Sequence, residues 1–309
     1  MQFKIRNPID EGWYADPEAR IYEGKYYIYA TKSRPYDEQL NQVCFVSENL
    51  SDWKRIDDII DMSTFPWAKR AIWAPTIIEK GNKYYYVFAS NDIQNNDEIG
   101  GLEIAVSDSP EGPFKGYLYK PLVDKFINKA QPIDAHLFKD DDGKIYLLYG
   151  GWQHCNIALM NETMDGFIPF ENGEIFKEIT PPDYVEGPCM FKKDGKYGFM
   201  WSAGGWGNGT YHVNAAFSDT PFGPFDDYNV ILETGDSKIA NGPGHNGFLY
   251  IPEEDLWINV YHRHKVDVKD HNARFMCLDF MEFESAYKIK PVTMTTEWEY
   301  NNGEIKLEK

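Results

Sequence analysis

Hydrophobic positions in this chain fall into short aromatic runs rather than a helical stripe. Five such runs occur, at residues 26–29, 84–88, 145–149, 197–201 and 257–261, each directly after a turn: Gly24-Lys25, Asn82-Lys83, Gly143-Lys144, Gly195-Lys196 and Asp255-Leu256. A Gly or Asn turn between β-prone runs is a hairpin signal. The second turn residues follow one another at steps of 58, 61, 52 and 60 residues. A further extended segment follows each hairpin, at residues 44–53, 102–114, 156–167, 213–225 and 275–283. Two of these share nearly the same words, Ser107-Asp108-Ser109-Pro110-Glu111-Gly112-Pro113-Phe114 and Ser218-Asp219-Thr220-Pro221-Phe222-Gly223-Pro224-Phe225. They begin 111 residues apart, about two periods, which marks them as repeats two and four.

A repeat of this length holding several strands matches a propeller blade, because a four-stranded sheet with its turns takes about 40 to 50 residues. No apolar stripe of helical period competes with that pattern. The expectation is an all-β, five-bladed β-propeller spanning 1–309 as a single domain. Its blades fall at roughly 7–65, 66–125, 126–178, 179–235 and 236–291, with a C-terminal tail at 292–309.

Composition narrows the partners. A net charge of −18 repels phosphate backbones and anionic lipid, so neither nucleic acid nor membrane is expected to bind. Neutral carbohydrate is indifferent to that field, and the 16% of aromatic residues supplies both core and flat faces for sugar stacking. Cys44, Cys155, Cys189 and Cys277 show no Cys-x-x-Cys spacing, which suits simple burial and not zinc. No segment reads as a signal peptide, so a cytoplasmic location is expected, or a secreted or periplasmic one if a leader has been removed. No protein partner is implied.

Three carboxylates head the repeats: Asp16 before Pro17, Asp134 before Ala135 and Glu186 before Gly187. Counted back from the turns they lie 9, 10 and 10 residues ahead, which places all three at the start of the same strand of their blades. A lone Asp before Pro is ordinary turn chemistry. Asp134 and Glu186 sit among apolar residues, where a carboxylate is costly unless paired, and where its pKa rises toward that of a general acid. The matching places in blades two and five hold Trp73-Ala74-Pro75 and Gly242-Pro243-Gly244-His245. Asp140, Asp141 and Asp142 lead into a hairpin turn and are expected to be solvated.

These words resemble, in order, those of glycoside hydrolase family 43, the five-bladed arabinofuranosidases, xylosidases and arabinanases. The resemblance runs from about Asn7 to Pro291. It implies that Asp16 is the general base, that Glu186 is the general acid, and that Asp134 orients the acid and tunes its pKa. It also implies substrate contacts from Trp73, His245 and Arg274, to which Trp13 is added as an aromatic beside Asp16. His245 matches an axial histidine that often binds a calcium or other ion in the family. No cofactor is implied beyond that ion. The expected activity is inverting, exo-acting release of pentose from arabinose- or xylose-containing oligosaccharide or polysaccharide, with α-L-arabinofuranoside first and β-xylosidase or arabinanase activity as alternatives. Thr76 stands where the family usually has an acid, and Cys189 follows Glu186-Gly187-Pro188, so the subsites differ from the common pattern. A non-catalytic carbohydrate-binding propeller is the alternative of another class.

Overall fold

The computed structural model describes residues 1–308. Four hairpin-built antiparallel sheets and a shorter fifth follow one another along the chain. Blade one runs Tyr14–Tyr22, Lys25–Lys32, Gln42–Ser47 and Lys54–Asp57. Blade two runs Trp73–Lys80, Lys83–Ser90, Gly101–Ser107 and Lys115–Gly116. Blade three comprises His136–Lys139, Ile145–Tyr149, Asn156–Met160 and Phe167–Ile168, with Phe176–Glu178 also pairing on Asn156–Met160. Blade four comprises Glu186–Lys193, Lys196–Ala203, His212–Ser218 and Tyr228–Leu232. Blade five comprises Asn241–Ile251, Leu256–His264 and Arg274–Phe280.

The aromatic runs pack between blades. Buried hydrophobic residues form five clusters, each shared by two consecutive blades; the fifth joins blade five to blade one and so closes the ring. Between blades one and two, for example, Tyr86 stacks on Phe114 with centroids 4.4 Å apart, and Tyr29 meets both edge-on. Such pairs add to the large area that each ring removes from water. The fold is a five-bladed β-propeller.

The ends of the chain are more ordered than the sequence suggests. Residues expected to be a tail form the hairpin Glu297–Asn301 and Glu304–Glu308, and its first strand pairs with Gln2–Arg6. Asn7 then latches onto blade five through its side chain, which donates to the Leu278 carbonyl and accepts from the Leu278 amide, both at 2.9 Å. Asp279 completes the latch by accepting from Thr295 Oγ1 and Tyr261 Oη, each at 2.6 Å. Burial pushes its carboxyl up to about 6. Alternation along residues 297–301 buries Trp298 and Tyr300, a signal too short to stand out against the five longer runs.

A second expectation fails at Asp140. It is buried, accepting from Tyr197 Oη at 2.6 Å and pairing with Lys192 Nζ at 2.7 Å, both reaching over from blade four. Only Asp141 and Asp142 are exposed.

Candidate active site

The site is built from one backbone irregularity repeated around the ring. In blades one, two, four and five the innermost strand carries a bulge that sets three residues against two on its neighbour: Ala15 to Glu18, Trp73 to Thr76, Glu186 to Cys189 and Gly244 to Gly247. Within each bulge one residue takes a left-handed backbone: Asp16 (φ 54°), Ala74 (φ 43°), Gly187 (φ 64°) and His245 (φ 42°). Asp134 (φ 56°) does the same in blade three, just ahead of the strand that begins at His136. A non-glycine residue held left-handed costs roughly 1–3 kcal/mol, and such strain gathers at functional sites. A bulge also re-aims side chains that strict alternation would send to opposite faces.

This register corrects the count from the turns. Asp16, Ala74, Asp134, Gly187 and His245 are the equivalent residues, whereas Glu186 is equivalent to Ala15, Trp73, Ile133 and Gly244. Glu186 therefore projects one position earlier than the two aspartates. Blade three's turn is one residue longer, which hid the offset.

Asp16, Asp134 and His245 meet at the axis. His245 Nδ1 lies 3.4 Å from Asp16 Oδ1 and 3.5 Å from Asp134 Oδ2. Arg274 Nη1 donates to Asp16 Oδ1 at 3.3 Å while its Nε donates to Ser33 Oγ at 2.9 Å. The backbone amide of Asp16 donates to His262 Nδ1 at 3.2 Å. Asp134 Oδ2 accepts from the Gly187 amide at 3.1 Å, which ties it to the backbone beside Glu186. Glu186 Oε1 accepts from Tyr211 Oη at 2.8 Å.

Electrostatics follow from this crowding. Burial pushes the Asp134 carboxyl well above the usual carboxylate range, and the charges of Glu186 and Asp16 push it the same way. Burial also raises Glu186; the Tyr211 hydrogen bond opposes that, Asp16 adds to it, and Arg274 opposes it. The Asp134–Glu186 pair thus retains a proton at pH values where a free carboxylic acid has lost it. Burial lowers His245, with Asp16 pulling it back up. The pit combines a carboxylate clamped by a guanidinium with a carboxyl that holds its proton.

A cavity of about 510 Å³ opens above this ring. Its wall draws on all five blades, including Tyr36, Trp73, Trp152, Glu186, Trp206 and Arg274. Trp73 is fixed by a hydrogen bond to Gln39 and by an edge-on contact with Tyr36. Arg274 lies over the Trp206 ring at 5.0 Å.

Of the residues singled out from sequence, Asp16, Asp134, Glu186, Trp73, His245 and Arg274 line this cavity, and Trp13 does not. Trp13 precedes the strand by one residue, the axial positions of blade one are Ala15 and Asp16, and its carbonyl is tied to the Ser33 amide at 3.0 Å. Sequence reasoning missed Tyr211, Asp92, Gln131, Trp152 and Trp206. Trp206 carried a usable signal, a lone indole within Gly204-Gly205-Trp206-Gly207-Asn208-Gly209. Tyr211 carried none, and is placed by tertiary packing: its ring stacks on His262 with centroids 5.8 Å apart, and Gly244 leaves it room. A methyl group at Gly244 would sit 2.1 Å from the Tyr211 ring. Gly244→Ala is expected to destabilise the fold by about 1–3 kcal/mol through overpacking, seen as a lower thermal midpoint.

The axial donor set does not fit a directly ligated cation. Calcium takes 6–8 oxygens, yet the two axial aspartates are engaged by His245 and Arg274. In the layer beneath, Glu18 is paired with Arg20 and His136. Among the described residues no trio of His, Cys, Asp or Glu is placed to hold a metal.

Together these features define a propeller hydrolase whose carboxylates converge on a sugar-sized pit. The family model for glycosyl hydrolases family 43 matches residues 5–286. A β-D-galactofuranosidase of Aspergillus niger is 37% identical, covering 95% of this chain and 86% of its own. A β-xylosidase of Xylanibacter ruminicola is 29% identical over 75% of this chain and 83% of its own. The solved structure of an α-L-arabinofuranosidase from Clostridium thermocellum superposes with a TM-score of 0.72 at 26% identity, covering 91% of this chain and 94% of that one. The chain belongs to glycoside hydrolase family 43.

Proposed function

We propose that the enzyme is an inverting, exo-acting furanosidase that releases terminal α-L-arabinofuranose. The observation that carries this is the placement of Asp16 and Glu186 on blades one and four, which are not neighbours, facing one pit walled by all five blades. A pit receives a chain end; a groove would be needed for a chain middle. Asp16 acts as base, taking a proton from water as its oxygen attacks the anomeric carbon. The anomeric C–O bond breaks, and the leaving oxygen takes the Glu186 proton. Asp134 holds the backbone next to the acid through the Gly187 amide, and between them the two carboxyls keep a proton in the pit. Trp73 and Trp206 supply faces for the sugar.

A second reading has its own support. The 37% relative is named for β-D-galactofuranose, whose ring has the configuration of α-L-arabinofuranose with one further exocyclic carbon. One pit suits both rings. The β-xylosidase relative makes aryl β-xyloside the third substrate to try. The test is release of phenol from aryl α-L-arabinofuranoside, β-D-galactofuranoside and β-xyloside. Turnover of the furanosides ahead of the xyloside is expected, and turnover of the xyloside alone would refute the furanoside reading.

Tyr211 bears on the acid. Its hydroxyl stabilises the ionised form of Glu186, so removing it raises the pKa of the acid. Tyr211→Phe is expected to move the basic limb of the pH–rate profile upward while the stacked ring keeps the fold. An unmoved limb would show that the hydrogen bond does not tune the acid.

A further inference from the structure

We propose that Asp92 and its two clamps form a subsite that reads the exocyclic hydroxyl arm of the sugar. Resting on the furanoside reading above, this adds which part of the substrate sets preference between pentose and hexose. Asp92 lines the same cavity as the catalytic carboxylates but lies on the wall formed by blades two and three. Arg274, by contrast, lies on blade five, and Trp206 follows the second strand of blade four.

The loop that presents Asp92 is strained and tied down. Asn91 and Asp92 are both left-handed, at φ 65° and 48°, directly after the strand Lys83–Ser90. The Asn91 side chain fixes the loop, donating to the carbonyls of Trp67 and Ile99 at 2.9 and 2.7 Å and accepting from the Lys69 amide at 2.8 Å. Strain held by such an anchor marks a position kept for what its side chain does.

The carboxylate itself is aimed by two neutral donors. Tyr36 Oη donates to Oδ2 at 3.1 Å and Gln131 Nε2 donates to Oδ1 at 2.9 Å. Gln131 is buried and its amide also reaches the Ile93 carbonyl at 2.9 Å, so its orientation is set. Each carboxylate oxygen accepts more than one hydrogen bond, and neither clamp neutralises the charge. Burial pushes Asp92 above the usual carboxylate range, opposed by the Tyr36 and Gln131 hydrogen bonds and by the Arg70 guanidinium. A half-buried acceptor in the wall of a sugar pit, with lone pairs to spare, calls for hydroxyl donors. The arm of a hexofuranose carries two hydroxyls, O5 and O6, and that of a pentofuranose carries one.

The test is the ratio of kcat/KM for aryl β-D-galactofuranoside to that for aryl α-L-arabinofuranoside, in wild type, Asp92→Asn and Asp92→Ala. Thermal unfolding of each protein is followed in parallel. Both substrates are expected to lose efficiency, with the galactofuranoside falling roughly 10- to 100-fold further, as for loss of a charged hydrogen-bond acceptor, mainly through KM. Equal losses on both substrates, or an unchanged ratio in a folded variant, would overturn the assignment while leaving the furanosidase reading standing. A wild type that cleaves the arabinofuranoside and ignores the galactofuranoside would also overturn it. A wild type active only on the xyloside would remove the furanoside reading and this inference together.

Discussion

Asp16→Asn is expected to lower kcat by about 10²- to 10⁴-fold on every glycoside the enzyme cleaves, with the fold intact, because the amide cannot take a proton from water. The geometry makes this residue hard to replace. Arg274 at 3.3 Å and His245 at 3.4 Å hold its carboxylate, and a left-handed backbone aims it at the axis. Asparagine keeps the shape and is among the residues that tolerate that backbone, so stability changes little. The loss should not depend on the leaving group, since water attack is needed for all of them. Steady-state kinetics on two aryl glycosides of different phenol acidity check this. A leaving-group-dependent loss would move Asp16 out of the base role.

Glu186→Gln is expected to give the opposite pattern. A poor leaving group must be protonated as it departs, and a good one need not be. Activity on an oligosaccharide or alkyl glycoside should fall by about 10²- to 10⁴-fold, while activity on an activated aryl glycoside falls much less. The basic limb of the pH–rate profile should also disappear, since that limb reports loss of the acid's proton. Burial raises the Glu186 pKa in the folded protein, so the wild-type limb is expected to lie above the ordinary carboxylic range. A glutamine variant that cleaves alkyl glycosides at the wild-type rate would refute the acid assignment.

Much of the architecture was legible because a propeller repeats one supersecondary unit. Five turns and five aromatic runs at similar spacing leave few other ways to bury so many rings. The axial placement of Asp16 and Asp134 was legible for the same reason, since each lies at or just ahead of the beginning of the innermost strand of its blade. The offset of Glu186 was not. Turn lengths vary by one or more residues between blades, and a single residue decides which side chain a bulge sends inward. Asp140 misled because its own neighbourhood, Asp140-Asp141-Asp142-Gly143, is turn-like, whereas Lys192 and Tyr197 that bury it arrive from the next blade. Tyr211, Asp92 and Gln131 share that character. Each owes its role to a partner far away in the chain, at 25 residues for Tyr211 with Glu186 and 39 for Gln131 with Asp92. Local pattern carries no trace of such pairings.

The bulge also accounts for the residue types at the axis. Five left-handed positions converge there, and Ala74 and Gly187 contribute almost no side chain. That leaves room for two carboxylates, one imidazole and a sugar above them. The same ring explains why Trp73 and Ile133 line the pit from positions equivalent to Glu186.

The stereochemistry of the first product tests the central claim most directly, because Asp16 and Glu186 acting across the pit must deliver water to the face opposite the leaving group. Proton NMR recorded in the first minutes of hydrolysis of an aryl α-L-arabinofuranoside should show β-L-arabinofuranose appearing first, with the α anomer growing in only by mutarotation. Initial appearance of the α anomer would mean a covalent intermediate on a nearby carboxylate, and would contradict Asp16 as base and Glu186 as acid.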